Sequence, residues 1–245
     1  MFGQSLLSAF DSAVACTTDT NQLFGTDVQN TSLATYQLNN ATTSIPSNTY
    51  PGTASNVTYA AGKFGNAAVF TNSSSVIVLP NSSFEIDVFS LSAWVNPATI
   101  TSGGSNRQVV FSTFQATSGA TGYIFNLETG KLSLYIYGNS VVQIIVDAAD
   151  AITAGSWFHV AATYDSTSNV TKLYINGVEK KTGTAPTISF PAAGLTQPSI
   201  GAYWYSNSHQ GGYFNGSIDQ VRVFNTVLPQ AAVTALYNET TTTAT

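Results

Sequence analysis

Apolar and polar residues alternate in short runs along most of the chain. In Leu91-Ser92-Ala93-Trp94-Val95-Asn96-Pro97, alternation puts Leu91, Ala93 and Val95 on one face and Ser92, Trp94 and Asn96 on the other, and Pro97 ends the strand. Similar runs predict strands at residues 34–38, 67–70, 76–79, 109–114, 123–127, 132–137, 141–146, 157–164, 171–175, 199–203 and 217–224. Residues 39–58, rich in Asn, Thr, Ser and Pro, read as a long loop. Glu128-Thr129-Gly130-Lys131 and Asn176-Gly177 read as turns between strands, Asn-Gly because both residues tolerate positive φ.

Helical spacing occurs at two places. Phe2, Leu6, Phe10 and Val14, with Leu7 beside them, predict a short amphipathic helix over 2–15. Residues 229–237 predict a second, with Pro229 suited to its first turn. About a dozen strands, with turn signals every 8–12 residues or so and no βαβ alternation, predict an all-β sandwich or barrel. The expected division is a docking segment over 1–28 (short helix plus linker), one domain over 29–240 and a flexible tail over 241–245. The N-terminal helix either docks on a partner subunit or packs on its own sandwich.

Composition sharpens this reading. Only 8% of the 245 residues are charged, against roughly 25% in ordinary domains. The surface is therefore built from Thr, Ser, Asn, Gln and Gly, a skin that favours assembly into something larger. The net charge of −5 and the lack of any basic cluster beyond Lys180-Lys181 argue against nucleic-acid binding, which needs several cations to neutralise phosphates. No apolar stretch approaches the roughly 20 residues of a membrane span. Cys16 has no companion for a disulfide. The N-terminus lacks a basic region and carries Asp11 early, so it is a poor secretory signal; the expected route out of a cell is lysis or a particle.

Five segments then carry a resemblance. Gly62-Lys63-Phe64-Gly65-Asn66-Ala67-Ala68-Val69-Phe70, the Leu91–Pro97 run, Gly155-Ser156-Trp157-Phe158-His159-Val160-Ala161-Ala162-Thr163-Tyr164-Asp165, Leu173-Tyr174-Ile175-Asn176-Gly177 and Phe214-Asn215-Gly216-Ser217-Ile218-Asp219-Gln220-Val221-Arg222-Val223-Phe224-Asn225 follow in this order. Together they resemble laminin-G-like domains of the concanavalin A-like lectin/glucanase superfamily. The resemblance implies a two-sheet antiparallel jelly roll with a short closing helix, and a superfamily that holds lectins, laminin-G modules, pentraxins and some glucanases. Residues 34–43 and 45–52 further resemble laminin-G-like proteins of marine bacteriophages. That likeness implies a virion-surface protein, a head decoration or fibre subunit, whose partners are other virion subunits or copies of itself.

Retaining glucanases of the superfamily place Glu-x-Asp-x-x-Glu on one strand. Here Glu85 and Asp87 are followed by Ser90 where the third carboxylate would stand, so the acid/base is missing and no catalytic residue is assigned. His159 and His209 show no zinc spacing. Relatives often bind calcium at rim loops. Asp147, Asp150 and Asp165 are the candidate oxygen ligands, and turn capping is their other reading. The segment Tyr203-Trp204-Tyr205-Ser206-Asn207-Ser208-His209-Gln210-Gly211-Gly212-Tyr213 mixes rigid aromatics with polar side chains. Tyr203, Trp204, Tyr205, Asn207, His209 and Tyr213 are its candidate ligand residues, as a platform for cell-surface glycans or as a subunit contact. His159 reads as a packed, hydrogen-bonded side chain, and Asp219 and Arg222 as an ion pair or a loop-clamping carboxylate. The leading expectation is a non-enzymatic virion-surface protein with glycan-adhesion ability; the alternative is a free extracellular lectin.

Overall fold

The computed structural model describes residues 32–45, 47–71, 74–80, 83–100, 107–115, 120–137, 141–185, 187–188, 197–205 and 208–240. The strands are β1 Ser32–Tyr36, β2 Thr53–Ser55, β3 Thr58–Ala61, β4 Asn66–Phe70, β5 Val76–Val78, β6 Val88–Pro97, β7 Arg107–Ser112, β8 Gly122–Glu128 and β9 Lys131–Tyr137. They continue as β10 Val141–Ile145, β11 Phe158–Asp165, β12 Val170–Ile175, β13 Val178–Thr184, β14 Ser199–Ile200, β15 Tyr203–Tyr205, β16 Ser208–Gly211 and β17 Gly216–Phe224. One helix, α1 Gln230–Tyr237, follows β17.

All of these strands except β15 and β16 form two antiparallel sheets. One runs β13-β12-β11-β6-β17-β4-β3, with β1 also on β17; the other runs β10-β9-β8-β7-β14-β5-β2. In β6 the predicted alternation holds: Leu91, Ala93 and Val95 enter the core between the sheets, while Trp94 lies on the far face with His159 and Tyr237. The core is strongly aromatic. Phe89 stacks on Tyr123 with centroids 4.2 Å apart, and Phe84 meets Phe111 edge-on at 5.5 Å. Such pairs add to the area that they bury.

β17 changes partner midway. Its start, Gly216 to Ile218, pairs with β4, and Val221 to Phe224 pair with β1. The register slips between Asp219 and Arg222, where Gln220 adopts φ 51. Asp219 follows core-facing Ile218 and so lies on the outer face opposite Trp94, where its Oδ2 accepts the Phe64 N–H at 2.9 Å. Asp219 is thus the loop clamp of the two expected alternatives. Arg222 pairs instead with Glu239, at 2.7 Å.

Helix α1 covers the outer face of the first sheet. Val233 and Leu236 pack with Leu228, Ala161, Tyr174 and Phe224, and Gln230 Nε2 donates to the Gly177 carbonyl of the Asn-Gly turn at 2.5 Å. Several expectations are corrected. The stretch 39–58 contains β2 and leads into β3, and β13 was not predicted. The run 199–203 splits at Gly201 into β14 and β15. The run 157–164 begins one residue later, at Phe158, and Trp157 before it is half-buried. The proposed docking residues Phe2, Leu6, Leu7, Phe10 and Val14 lie outside the described residues, as does the tail 241–245.

Candidate functional site

The aromatic segment forms a hairpin of its own. Gly201, at φ 88, lies so close to the Phe70 ring that a Cβ there would meet it at 2.3 Å, and this turn lifts the chain out of β14. β15 then pairs with β16: Tyr203 opposite Gly211, Trp204 opposite His209 and Tyr205 opposite Ser208. The hairpin is fixed to the second sheet by the Val109 N–H, which donates to Gly212 O at 2.7 Å. Tyr203 is half-buried and meets Phe114 edge-on at 5.7 Å. Trp204 and Tyr213 are half-buried, whereas Tyr205 is 48% exposed. Asn207 lies outside the described residues, and His209 is described only through its pairing with Trp204.

Tyr203 joins a patch that the sequence reading missed. Leu132, Leu134 and Ile136 of β9 enter the core, so Ser133, Tyr135 and Tyr137 face the other way. Tyr135 and Tyr137 gather with Val109, Phe114 and Ile124 into an aromatic cluster on that outer face, and Tyr203 leans against it. Polar groups border it. Glu128 Oε2 accepts the Tyr135 O–H at 2.6 Å and a Gln143 N–H at 2.7 Å. The Arg107 guanidinium lies 3.9 Å over the Tyr135 ring, and its Nη1 donates to Tyr137 Oη at 3.4 Å. Burial, and then the bond to Glu128, push the Tyr135 phenol up to about 12, so it stays a proton donor. The period-two polar side of Leu132–Tyr137 was the available signal for this patch.

The acidic residues proposed for calcium have other partners. Asp147 lies 3.1 Å from Lys181, and Asp150 lies 2.8 Å from Lys180. Asp165 accepts the Thr167 N–H at 2.9 Å and the Ser168 hydroxyl at 2.8 Å, which is turn capping. Among the described residues, no group of three His, Cys, Asp or Glu side chains could hold a metal ion. A calcium ion at Asp147 or Asp150 has to displace a lysine.

Glu85 and Asp87 precede β6 and lie in no strand. Ser90 Oγ donates to Thr226 O at 2.7 Å and accepts the Leu228 N–H at 2.8 Å, so it fixes the approach to α1. His159 is fully buried with Nε2 2.8 Å from Ser92 Oγ, which matches the packed role expected for it.

Two layered antiparallel sheets, an outer closing helix and an aromatic hairpin on one sheet define a jelly roll of the lectin type. Residues 70–234 match the family model described as the concanavalin A-like lectin/glucanases superfamily, and the chain belongs to that family. Among solved structures it is similar to domain 4 of AbnA, a GH43 extracellular arabinanase from Geobacillus stearothermophilus, solved in complex with arabinotriose. The TM-score is 0.68 and the identity 27%, over 84% of this chain and 98% of that domain. The fold is shared with the Ruminococcus gnavus IT-sialidase CBM40 bound to α2,3-sialyllactose, at TM-score 0.56 and 14% identity, covering 69% of this chain and 96% of that one. It is shared as well with the binding domain of Paraclostridial Mosquitocidal Protein 1, at TM-score 0.61 and 16% identity; 80% of this chain spans 49% of that one. No curated protein matches the chain by sequence. Among the described residues, no helix is long and apolar enough to cross a membrane.

Proposed function

We propose that this chain is a non-enzymatic carbohydrate-binding module. The observation that carries the reading is the β15–β16 hairpin, set on the aromatic patch of the second sheet with Trp204 half-buried and Tyr205 exposed at its outer end. Rigid rings offer the C–H faces of a sugar contact area at low entropic cost, and neighbouring polar groups give direction. Support comes from the arabinanase domain, which is 27% identical along 98% of its length and was solved with arabinotriose. The test is titration of the full chain with arabinotriose, alongside a glycan array. Saccharide binding is expected, and Trp204→Ala is expected to weaken it by about tenfold or more with Tm unchanged. A chain that binds neither arabinotriose nor any arrayed glycan sinks the proposal.

The low charge favours one reading of where the module works. Its 8% of charged residues fit a subunit of a virion surface, in a head decoration or fibre, touching other virion subunits or further copies of itself. Co-purification with particles at fixed stoichiometry is the expected result. A monomer that never accompanies particles leaves the free extracellular lectin. Catalysis is not part of the proposal, because Ser90 stands at the third carboxylate position of the glucanase pattern and is engaged in holding the approach to α1.

A further inference from the structure

Asn126 presents an unmet demand. It is fully buried, yet neither Oδ1 nor Nδ2 has a hydrogen-bond partner. An amide left so loses its water without compensation, which a fold rarely keeps without use. Phe125 and Leu127 on either side enter the core, so Asn126 lies on the outer face of the second sheet with Ile124 and Glu128. In the register of β7 against β8, Asn126 opposes Val109, and Arg107 opposes Glu128. Arg107 and Asn126 are therefore diagonal neighbours on one face. Arg107 Nε is also buried without a hydrogen bond; Glu128 Oε2 lies 4.0 Å from it.

The surrounding groups are already engaged. Glu128 Oε2 takes the Tyr135 and Gln143 donors, and Gln143 Nε2 also reaches Ser133 Oγ at 3.1 Å. What is left open is one carbonyl acceptor, one amide donor group and one guanidinium N–H, beside two phenol rings. At one end of this group the Arg107 and Glu128 side chains are 21% and 25% exposed, while Asn126 is 0% exposed.

We propose that this face holds a subsite for a neutral sugar residue with adjacent hydroxyls, Asn126 forming its polar floor. One hydroxyl accepts from Nδ2, its neighbour donates to Oδ1, and Arg107 Nε donates to a further sugar oxygen; this is the reciprocal pairing that an amide offers to a diol. Tyr135 and Tyr137 supply the apolar wall. A neutral residue fits better than an acidic one, since Glu128 offsets the Arg107 charge and the chain carries net −5. The inference rests on the carbohydrate-binding reading and adds a place and a ligand class that the hairpin does not specify.

The decisive variant is Asn126→Leu, which keeps the branched outline, is somewhat larger and carries no polar atoms. Full chain and variant are titrated with arabinotriose, cellotriose, mannotriose and, as the anionic probe, trigalacturonate, and their Tm is measured without sugar. The expected result is binding of a neutral trisaccharide, weakened by about tenfold or more in Asn126→Leu, together with a higher Tm because the unmet amide is gone. A merely structural Asn126, for instance one satisfied by ordered water only, gives a lower Tm and unchanged affinity, which overturns the subsite. Preference for trigalacturonate overturns it too. Arg107→Gln, at the partly open end, carries the test if Asn126→Leu does not fold; unchanged affinity there is equally fatal. If the wild-type chain binds no saccharide, both proposals fall. If it binds one that Asn126→Leu and Arg107→Gln bind as well, only the subsite falls.

Discussion

Asp219, Trp94 and His159 stand in one row across β17, β6 and β11, Trp94 being the register partner of both others. Burial acts oppositely on the two titratable ends. It pushes the Asp219 carboxyl up to about 7, against the backbone N–H groups that bond it, and it lowers the His159 imidazole to about 3, helped by the nearby Arg222 charge. The consequences for stability have opposite signs. Asp219 binds its proton more tightly folded than unfolded, so the stability it contributes is present in acid and is lost as pH rises from about 4 to about 7. His159 is held neutral in the fold, so its contribution is present above about 6.5 and is lost as pH falls toward 3. Across pH 4–6.5 the two nearly cancel, and Glu239, Arg222 and Lys63 share the same outer face. Unfolding midpoints in urea over pH 4–7.5 are expected to be nearly flat for the wild type. Asp219→Asn is expected to uncover the histidine slope, with stability rising with pH by up to about 1.4 kcal/mol per unit. His159→Gln is expected to uncover the opposite slope. Two variants that merely parallel the wild type contradict this pairing of effects.

At the scale of elements, the segment that follows α1 is tied back to the first sheet by a buried ion pair, beside the apolar packing of the helix itself. Glu239 follows the helix and is buried; its Oε1 accepts the Trp94 Nε1–H and an Arg222 Nη1–H, each at 3.0 Å, and its Oε2 accepts from Arg222 Nη2 at 2.7 Å. The salt bridge shows side-chain exposures of 4% and 0%, so it is shielded from water. Such a pair adds little over an apolar substitute, but breaking it leaves an uncompensated buried charge at a cost of about 3–5 kcal/mol. Glu239→Gln is therefore expected to lower the unfolding free energy by about that amount, read from urea denaturation. The double variant Arg222→Met, Glu239→Leu is expected to recover most of the loss. A single variant as stable as wild type would falsify the view of Glu239 as the anchor of this element. The Arg222 partner could not be read from sequence, because the bulge at Gln220 and the return of the chain after α1 decide it.

For the molecule as a whole, what was legible follows from where apolar side chains recur with a period of two. The long strands β6, β8, β9, β11 and β17 each bury one apolar face and were found to within a few residues. β2 and β13 carry TAS and VEKKTGT on mostly exposed positions, so no alternation marks them. The aromatic segment 203–213 stood out because its rings crowd one stretch of sequence, but its pairing into β15 and β16 was not read from it. Arg107, Asn126 and Tyr135 sit on three different strands, and only the register brings them together. The same logic bears on the chain before β1. Every strand pairing described joins residues between Ser32 and Phe224, and the described core begins with Ala34 and Tyr36 of β1. A chain covering residues 29–245 is therefore expected to unfold in a single transition at nearly the wild-type Tm and to bind saccharide with unchanged affinity. If residues 1–28 serve docking, the truncated chain loses only its association with partner subunits, read by co-purification. A fall in Tm beyond about 10 °C, or some 3 kcal/mol for a domain of this size, places the segment in the core and removes it from any docking role.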